Sequence, residues 1–123
     1  MFDPVTEIDL IQIGLIRALA GTHRLRIVHL LGEQPMGVRE IALALDLPQA
    51  TVSQNLAAMR SAGLVEATRD GRNVIYRLAD PEILEACDLM RSVIVRRLSA
   101  MGSLAAAVKD VPANPNPAQV SNR

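Results

Sequence analysis

The sequence predicts a mainly α-helical domain with one small β-hairpin, and three observations support this fold class. Apolar residues recur every three or four positions over residues 8–61 and again after residue 82, which is the period of an α-helix. Between these regions, residues 64–69 and 73–78 are extended runs around Asp70-Gly71, a dipeptide typical of a two-residue hairpin turn. Aromatic residues are only 2% of the chain, so we expect an aliphatic core built by helix packing.

Length and composition predict one domain in a reducing compartment. The 123 residues fit a single domain, which we assign to residues 1–110, and the proline-rich tail at residues 111–123 is expected to be disordered. No apolar run reaches the roughly 18 residues of a membrane span, and the N-terminus lacks the basic start of a signal peptide. Cys87 is the single cysteine, which excludes an internal disulfide. We therefore expect a cytoplasmic protein with no membrane partner.

Two helices are predicted before residue 34. Over residues 6–20 the apolar positions cover more than one side of a helix, so this helix needs packing partners on more than one side. Gly21 breaks it, and Thr22 is expected to cap a second helix ending near Gly32. In that helix Arg24 and Arg26 are expected to point away from the core. Residues 34–37 are expected to form a turn, and the core face of the second helix is predicted to be Leu25, Ile27, Val28, Leu30 and Leu31.

Residues 38–65 contain two short helices joined by a tight turn. Pro48 suits the first turn of the second helix, where a missing N–H costs nothing, and it pushes Leu47 out of helical geometry. Gly63 is expected to end the second helix. The predicted buried positions are Val38, Ile41, Ala42 and Leu45 in the first helix and Val52, Leu56 and Met59 in the second.

The outer side of the second helix is small and polar instead of charged. Small side chains allow a close approach to DNA, Gln bonds bidentately to adenine, Ser and Thr reach bases or phosphates, and Ala contacts a thymine methyl. This side predicts a helix-turn-helix whose second helix, residues 48–62, enters a major groove. The alternative is a helical hairpin that only packs. The outer residues are Ala50, Gln54, Ala57 and Ser61, flanked by Thr51 and Ser53.

A hairpin over residues 64–79 directly after a helix-turn-helix is expected to be a wing. Its tip carries Arg69 and Arg72, placed to reach phosphates or a minor groove, and Arg60 lies near the end of the preceding helix. Alternatively, the tip arginines are solvated and keep the strand edge soluble. The formal net charge is zero, with 13 basic and 13 acidic residues, so any basic surface is local.

The last helix predicts a homodimer. Asp80 is expected to cap it, with Pro81 in its first position. Its apolar residues alternate steps of four and three, a coiled-coil-like pattern too long for a domain of this size to cover alone. Together with the first helix, it is expected to form the dimer interface. The apolar positions are Ile83, Cys87, Met90, Ile94, Leu98, Met101, Ala105 and Val108.

The order of these elements, and the stretch LPQATVSQNLAAMRSAGLVEATRDGRNVIYRLADP, resemble the ArsR/SmtB family of bacterial transcriptional repressors. RALAGTHRLRIVHLL is similar to the second-helix signature of that family, and GLVEATRDGRNVIYRL is similar to its wing. The resemblance implies a homodimeric repressor that binds an inverted repeat in double-stranded DNA. Pro48 stands where the family often has Ser, and Asn55 where it often has His, which bears on the operator sequence. The family's DNA-reading positions fall on Gln49, Thr51, Ser53, Gln54 and Asn55.

The resemblance implies no metal cofactor for this chain. One metal site of the family uses a Cys-x-Cys pair where this chain has Val38, Arg39 and Glu40. The other site needs His on the last helix, which here has carboxylates but no His. Some relatives sense sulfur species through one Cys on the second helix and one on the last. Only the latter, Cys87, is present. It is expected either to act in redox sensing through a disulfide between the Cys87 residues of two subunits or to be a small buried core residue.

Each candidate residue has an expected role. Gln54 and Ser53 are expected to contact bases, with Ala50 beside them, and Gln49 and Thr51 to contact bases or backbone. Arg60, Arg69 and Arg72 are expected to contact phosphates. His29 is either a hydrogen-bonded helix residue or a ligand, and His23 either contacts phosphate or is solvated.

Two other classes of function compete with DNA binding. A winged-helix module that binds protein or only dimerises is favoured by the neutral net charge. An enzyme is not expected, because the sequence has no clustered His, Cys and carboxylate set, no glycine-rich phosphate loop, and no nucleophile with a base nearby.

Overall fold

The structure is a computed structural model that describes residues 5–102. This part of the chain contains five helices and three short strands around one core. In chain order the elements are α1 (Val5–Leu19), α2 (Thr22–Glu33), β1 (Met36–Gly37), α3 (Val38–Leu45), α4 (Gln49–Ser61), β2 (Val65–Asp70), β3 (Asn73–Leu78) and α5 (Glu82–Met101). The predicted fold class, mainly α with a winged helix-turn-helix, is confirmed.

The core is aliphatic, as predicted, and lies where α2, α3, α4 and the sheet meet. The predicted stripe of α4 is completely buried, and the α3 positions Ile41, Ala42 and Leu45 are buried with it. Full burial of an aliphatic side chain of this size contributes about 1.5–3 kcal/mol. The largest fully buried side chains are Ile27, Val28, Ile41, Val52, Leu56, Met59 and Leu64.

Local contacts and backbone angles determine where α3 begins and ends and where α4 begins. The Glu40 carboxylate accepts a 3.0 Å hydrogen bond from the N–H of Gly37, which stabilises the start of α3. Asp46 ends α3 in the left-handed region at φ 54°, which Asp tolerates better than most residues. Pro48 has ψ 144° and is the N-cap of α4, so that helix begins at Gln49, one residue later than predicted.

The end of α4 directs the chain into the wing. Gly63 has φ +80°, and its N–H donates to the carbonyl of Arg60 at 3.0 Å. The N–H of Leu64 donates to the carbonyl of Met59 at 2.9 Å, and the two bonds form the Schellman pattern. The predicted role of Gly63 is confirmed. Because Leu64 closes the helix, β2 begins one residue later than predicted, at Val65.

The sheet has three strands, so the prediction of an isolated hairpin is incomplete. Met36 and Gly37, predicted as part of a turn, form β1 and pair antiparallel with β3 opposite Tyr76 and Ile75. The strand order is β1-β3-β2. A strand of two residues is too short to show a periodicity of its own, and the outer edge of β3 provides its hydrogen-bond partner.

The hairpin turn is shifted by one residue from the prediction. Asp70 pairs with Asn73, so Gly71 and Arg72 are the two turn residues, instead of Asp70 and Gly71. Gly71 has φ +64° at the first central position, where a type II′ turn requires glycine. Arg72 therefore lies on the turn itself.

The predicted burial of α2 is partly wrong. Thr22 is the first helical residue and not the cap, because Gly21 is the N-cap and makes no side-chain bond. Leu25, predicted in the core, is 41% exposed, whereas Arg26, predicted outside, is only 6% exposed. Helix α2 packs against α1, α3, α4, α5 and β3, so it buries a wider arc than its apolar stripe. An arginine stem can pack along such an apolar surface.

Among residues 5–102, much of the apolar surface of helix α5 has no covering element. Asp80 does not cap α5 with its side chain, because Pro81 is the N-cap and Asp80 contributes only a backbone carbonyl to Ile83. No residue of α5 is buried, and Gly102, in the left-handed region, follows its last turn. Ala105, Val108 and the predicted disordered tail at residues 111–123 lie outside the described residues. Large exposed apolar residues of α5 are Leu89, Met90, Ile94, Val95 and Met101.

Helix α1 has a similar exposed apolar surface. Ile8 is 66% exposed and Ile11 is 73% exposed, and Leu10, Ile13 and Ile16 are exposed as well. Only the C-terminal part of α1, around Ala18, packs on the core. Within residues 5–102, no helix is both long enough and apolar enough to cross a membrane.

Candidate nucleic-acid interface

Helix α4 presents one continuous exposed face, which we call the reading face. At about 100° per residue its members occupy an arc of roughly 140°. The opposite side of the helix is the fully buried stripe that packs on α2 and α3. The predicted division of α4 into a buried and an outer side is therefore confirmed. The exposed residues of the reading face are Gln49, Ala50, Ser53, Gln54, Ala57, Arg60 and Ser61.

The reading face carries fewer charges than is usual for a solvent-exposed helix face, and its polar groups can bond to base edges. Only Arg60 is charged, and it lies in the last turn, where a cation offsets the negative end of the helix dipole. Ala50 and Ala57 have small side chains, so the backbone of α4 can come close to a binding partner. Gln54 and Ser53 supply hydrogen-bond donors and acceptors between them.

Thr51 and Asn55 lie at the edge of the reading face and are half-buried. The Asn55 Nδ2 atom donates to the backbone carbonyl of Thr51 at 2.8 Å. The Oδ1 atom of Asn55 accepts from Nε of Arg24 at 3.1 Å. Both ends of the Asn55 amide are therefore engaged within the protein, although the resemblance placed it among the reading positions.

The wing, which follows α4 in the chain, carries exposed arginines. Arg69 and Arg72 are both exposed at the hairpin tip, as predicted. Arg69 pairs with Val74, so no carboxylate lies opposite it, whereas Arg77 pairs with Glu66 across the same two strands. An opposite charge directly across a strand pair offsets the charge of Arg77. The tip therefore provides two cations for contacts with anions.

The two histidines make internal contacts. Nδ1 of His29 donates to the carbonyl of Leu25 at 2.8 Å, and its Nε2 lies 3.2 Å from Oδ1 of Asp88. The prediction that His29 is a hydrogen-bonded helix residue is confirmed, and it also connects α2 with α5. Nδ1 of His23 accepts from Nη2 of Arg26 at 2.9 Å. His23 is half-buried, so plain solvation does not describe its environment, and the phosphate contact stays a prediction.

Cys87 is half-buried and packs against the core. Burial raises the pKa of its thiol above the ordinary value of 9.0, and the adjacent Asp88 carboxylate raises it further. Since the thiolate is the reactive and metal-binding form, this environment favours the core alternative over a redox role. Among residues 5–102, no group of three or more His, Cys, Asp and Glu side chains is placed to hold a metal ion.

Arg24 is the residue that the sequence did not identify. It was expected to point away from the core, but it is half-buried and bonds to both Asn55 and the backbone carbonyl of Ala18, the latter at 3.2 Å. Its partner on α4 is 31 residues away in sequence. No local pattern indicates such a pair, because it depends on how α2 packs on α4.

Comparison with known proteins assigns the family. The family described as "Bacterial regulatory protein, arsR family" matches residues 22–67. Rv0081 of Mycobacterium tuberculosis (strain ATCC 25618 / H37Rv), an uncharacterized HTH-type transcriptional regulator, is 39% identical over 84 residues, which is 68% of this chain and 74% of that protein. This chain belongs to the ArsR/SmtB family. The family expectation drawn from the residues is therefore confirmed.

Two further relatives support this assignment. The HTH-type transcriptional repressor SmtB of the same M. tuberculosis strain is 48% identical over 66 residues, covering 54% of this chain, and the chain spans about half (49%) of SmtB. A solution structure of the homodimeric winged helix-turn-helix DNA-binding domain of Mb0332 from Mycobacterium bovis has TM-score 0.73 at 32% identity, covering 81% of this chain and 93% of that one. These relatives are named as transcriptional regulators and not as enzymes, in agreement with the sequence.

Proposed function

We propose that this ArsR-family chain is a homodimeric, sequence-specific transcriptional repressor. It binds an inverted-repeat operator in double-stranded DNA through the helix at residues 48–62 and the wing at residues 64–79. The observation that carries the proposal is the reading face of α4, which is exposed, small and amide-bearing, with Arg60 as its single charge. The names of SmtB, a repressor, and of Mb0332, a DNA-binding domain, agree with it.

The division of labour follows from the chemistry of each side chain. Gln54 and Ser53 contact base edges in the major groove, and Ala50 lies against a thymine methyl. Gln49 lies at the N-terminus of α4, where it reaches bases or the backbone, together with Thr51. The arginines of the interface contact phosphates, which adds affinity without sequence preference. These phosphate contacts come from Arg60, Arg69 and Arg72.

The exposed apolar surfaces of α1 and α5 form the dimer interface in this proposal. Each contains several exposed large apolar residues, whereas a monomeric protein normally exposes such residues singly. The homodimeric state of the Mb0332 domain supports a homodimer here. A two-fold axis then places two α4 helices on half-sites one or two helical turns apart, about 34 Å per turn. Operator binding also places the protein in the cytoplasm, where bacterial DNA lies.

A protein-binding or purely dimerising module is the second candidate, and the zero net charge favours it. DNA binding through arginine–phosphate contacts releases counterions, so it must weaken steeply as the salt concentration rises. Binding of a protein through apolar surfaces has no such steep dependence. The two candidates therefore differ in a single titration.

The test is capture of fragmented genomic DNA from the source organism by the full chain, followed by sequencing. We expect enrichment of fragments that share an inverted repeat. Gel shifts with an enriched fragment and a scrambled duplex are then titrated with salt. Enrichment of no common sequence, together with salt-independent binding, would refute the proposal. Repeating the capture with added metal ions, oxidants or persulfides tests for an effector.

A further inference from the structure

The Arg24 guanidinium on α2 contacts two other helices at once. Its Nε donates to Oδ1 of Asn55 on α4 at 3.1 Å, and its Nη1 donates to the backbone carbonyl of Ala18 on α1 at 3.2 Å. Ala18 is buried, and the other two residues are half-buried. We call this three-helix contact the Arg24 joint. A planar guanidinium with fixed donor directions suits it, because each donor has one acceptor.

The joint determines the orientation of the Asn55 amide. Arginine has only donors, so the atom that faces Arg24 must be the carbonyl oxygen Oδ1. Nδ2 then faces the Thr51 carbonyl, to which it donates at 2.8 Å. Reading an adenine bidentately requires these same two amide atoms. The two internal hydrogen bonds use one lone pair of Oδ1 and one N–H of Nδ2, so turning the Asn55 amide toward a base would break both.

The other end of the joint lies at the C-terminus of α1. The last carbonyls of a helix have no partner within it, and Arg24 satisfies that of Ala18. The guanidinium charge also offsets the negative end of the α1 dipole. Helix α1 packs directly against α4 as well as α2, and its residues 8–16 carry the exposed apolar surface. The joint thus connects the proposed dimer interface with the reading face.

We propose that Arg24 and Asn55 are positioning residues that set the rotation of α4 relative to α1. This inference rests on the proposed function, because rotation matters only if two copies of α4 must match two half-sites. A small rotation of α4 about its axis displaces the ends of Gln54 and Ser53 from the base edges. It does not change the charge that the interface presents to phosphates.

The experiment measures operator discrimination, the ratio of Kd for scrambled duplex to Kd for the captured operator. For Arg24→Met we expect a roughly tenfold lower ratio, the order expected for loss of a charged hydrogen bond, with an unchanged salt slope. Arg24→Lys should not restore it, since one ammonium cannot reproduce two fixed donor directions. Arg97→Met, which removes an exposed arginine from α5, is the control for charge and should keep the wild-type ratio.

Asn55→Ala separates positioning from base reading. If Asn55 acts through the joint, Asn55→Ala lowers the operator discrimination ratio as much as Arg24→Met does, and the double variant has the same ratio as either single variant. The loss is then spread over all the base pairs read in a half-site. Variants lacking the joint should also tolerate one extra base pair between half-sites better than the wild type. A loss confined to one base pair, additive with that of Arg24→Met, would show that Asn55 reads a base and overturn the inference.

Two readouts separate the inference from other failures. If the role of the joint is purely structural, the variants have a lower thermal midpoint and a smaller active fraction, but the folded molecules keep the wild-type discrimination ratio. That result overturns the proposed positioning role. If Arg24→Met does not fold, Arg24→Lys and Asn55→Ala carry the test. A wild-type chain without operator preference overturns the proposed function itself, and it is seen before any variant is made.

Discussion

Leu84 of α5 packs onto α2 at Gly32, so closely that a Cβ added to Gly32 would overlap the Leu84 Cδ2 atom and lie 3.3 Å from its Cγ. Gly32 lies in the last turn of α2 and has no positive φ, so its backbone conformation does not require glycine. The end of the Leu84 side chain occupies the space that a Cβ would take, so a larger residue must displace it. This contact between α2 and α5 lies near the His29 and Asp88 contact.

We expect Gly32→Ala to stabilise the fold by less than the roughly 1 kcal/mol that helix propensity alone would give, because the added Cβ must displace the flexible end of the Leu84 side chain. Urea unfolding measures the difference. In a Leu84→Ala background the same substitution should be more stabilising, because no side-chain end has to move. An equal change in both backgrounds would contradict the overlap with Leu84.

We expect the Cys87 thiol to alkylate slowly near neutral pH and faster above its ordinary pKa of 9.0, because its pKa is raised in the folded protein. A raised thiol pKa adds stability that is fully present below the unfolded-state value and is lost as pH rises through the folded-state value. Asp88→Asn removes the second cause and should move the alkylation curve to lower pH. Iodoacetamide labelling followed by mass measurement reports on this thiol alone, since Cys87 is the single cysteine. A curve that moves to higher pH in Asp88→Asn would contradict this account.

Gln54→Ala should relax sequence preference at a cost of roughly 1–3 kcal/mol, because a bidentate base contact is lost. Its affinity for scrambled duplex should stay near that of the wild type. Titrations of operator and scrambled duplex at one salt concentration measure both quantities. Equal losses on the two duplexes would show that Gln54 does not read a base.

Arg72→Ala should weaken binding to all sequences by a similar factor, because a phosphate contact carries no sequence information. The slope of log K against log salt should fall by about 1. Gel shifts at several salt concentrations measure it. Arg97→Ala, with an exposed arginine far along α5, is the matched control and should keep the wild-type slope. A loss restricted to the operator would contradict a phosphate role for Arg72.

Ile94→Asp should convert the proposed dimer into monomers, because it places a charge in the apolar surface of α5, where Ile94 is 51% exposed in the single chain. Analytical ultracentrifugation measures the change. Leu43 on α3 is 78% exposed but lies outside α1 and α5, so Leu43→Asp should remain dimeric. Monomers from both variants, or from neither, would argue against this interface.

The candidate interface was predictable largely because its signals are local. The spacing of Val52, Leu56 and Met59 is enough to define the opposite side of α4, and Gly63 marks its end. The hairpin was identified from its turn residues, although its register was off by one. Turn dipeptides indicate that a turn exists more reliably than which two residues occupy it.

The sequence by itself determined the helix-turn-helix and the wing, because periodicity, proline and glycine act within a few residues of chain. Only the tertiary structure decided that Arg26 is buried while Leu25 is exposed, and that β1 pairs with β3. It also decided that Asn55 bonds to Arg24 across 31 residues. The physical reason is that burial and hydrogen-bond partners depend on which elements pack against each other, and side chains distant in sequence share no local pattern.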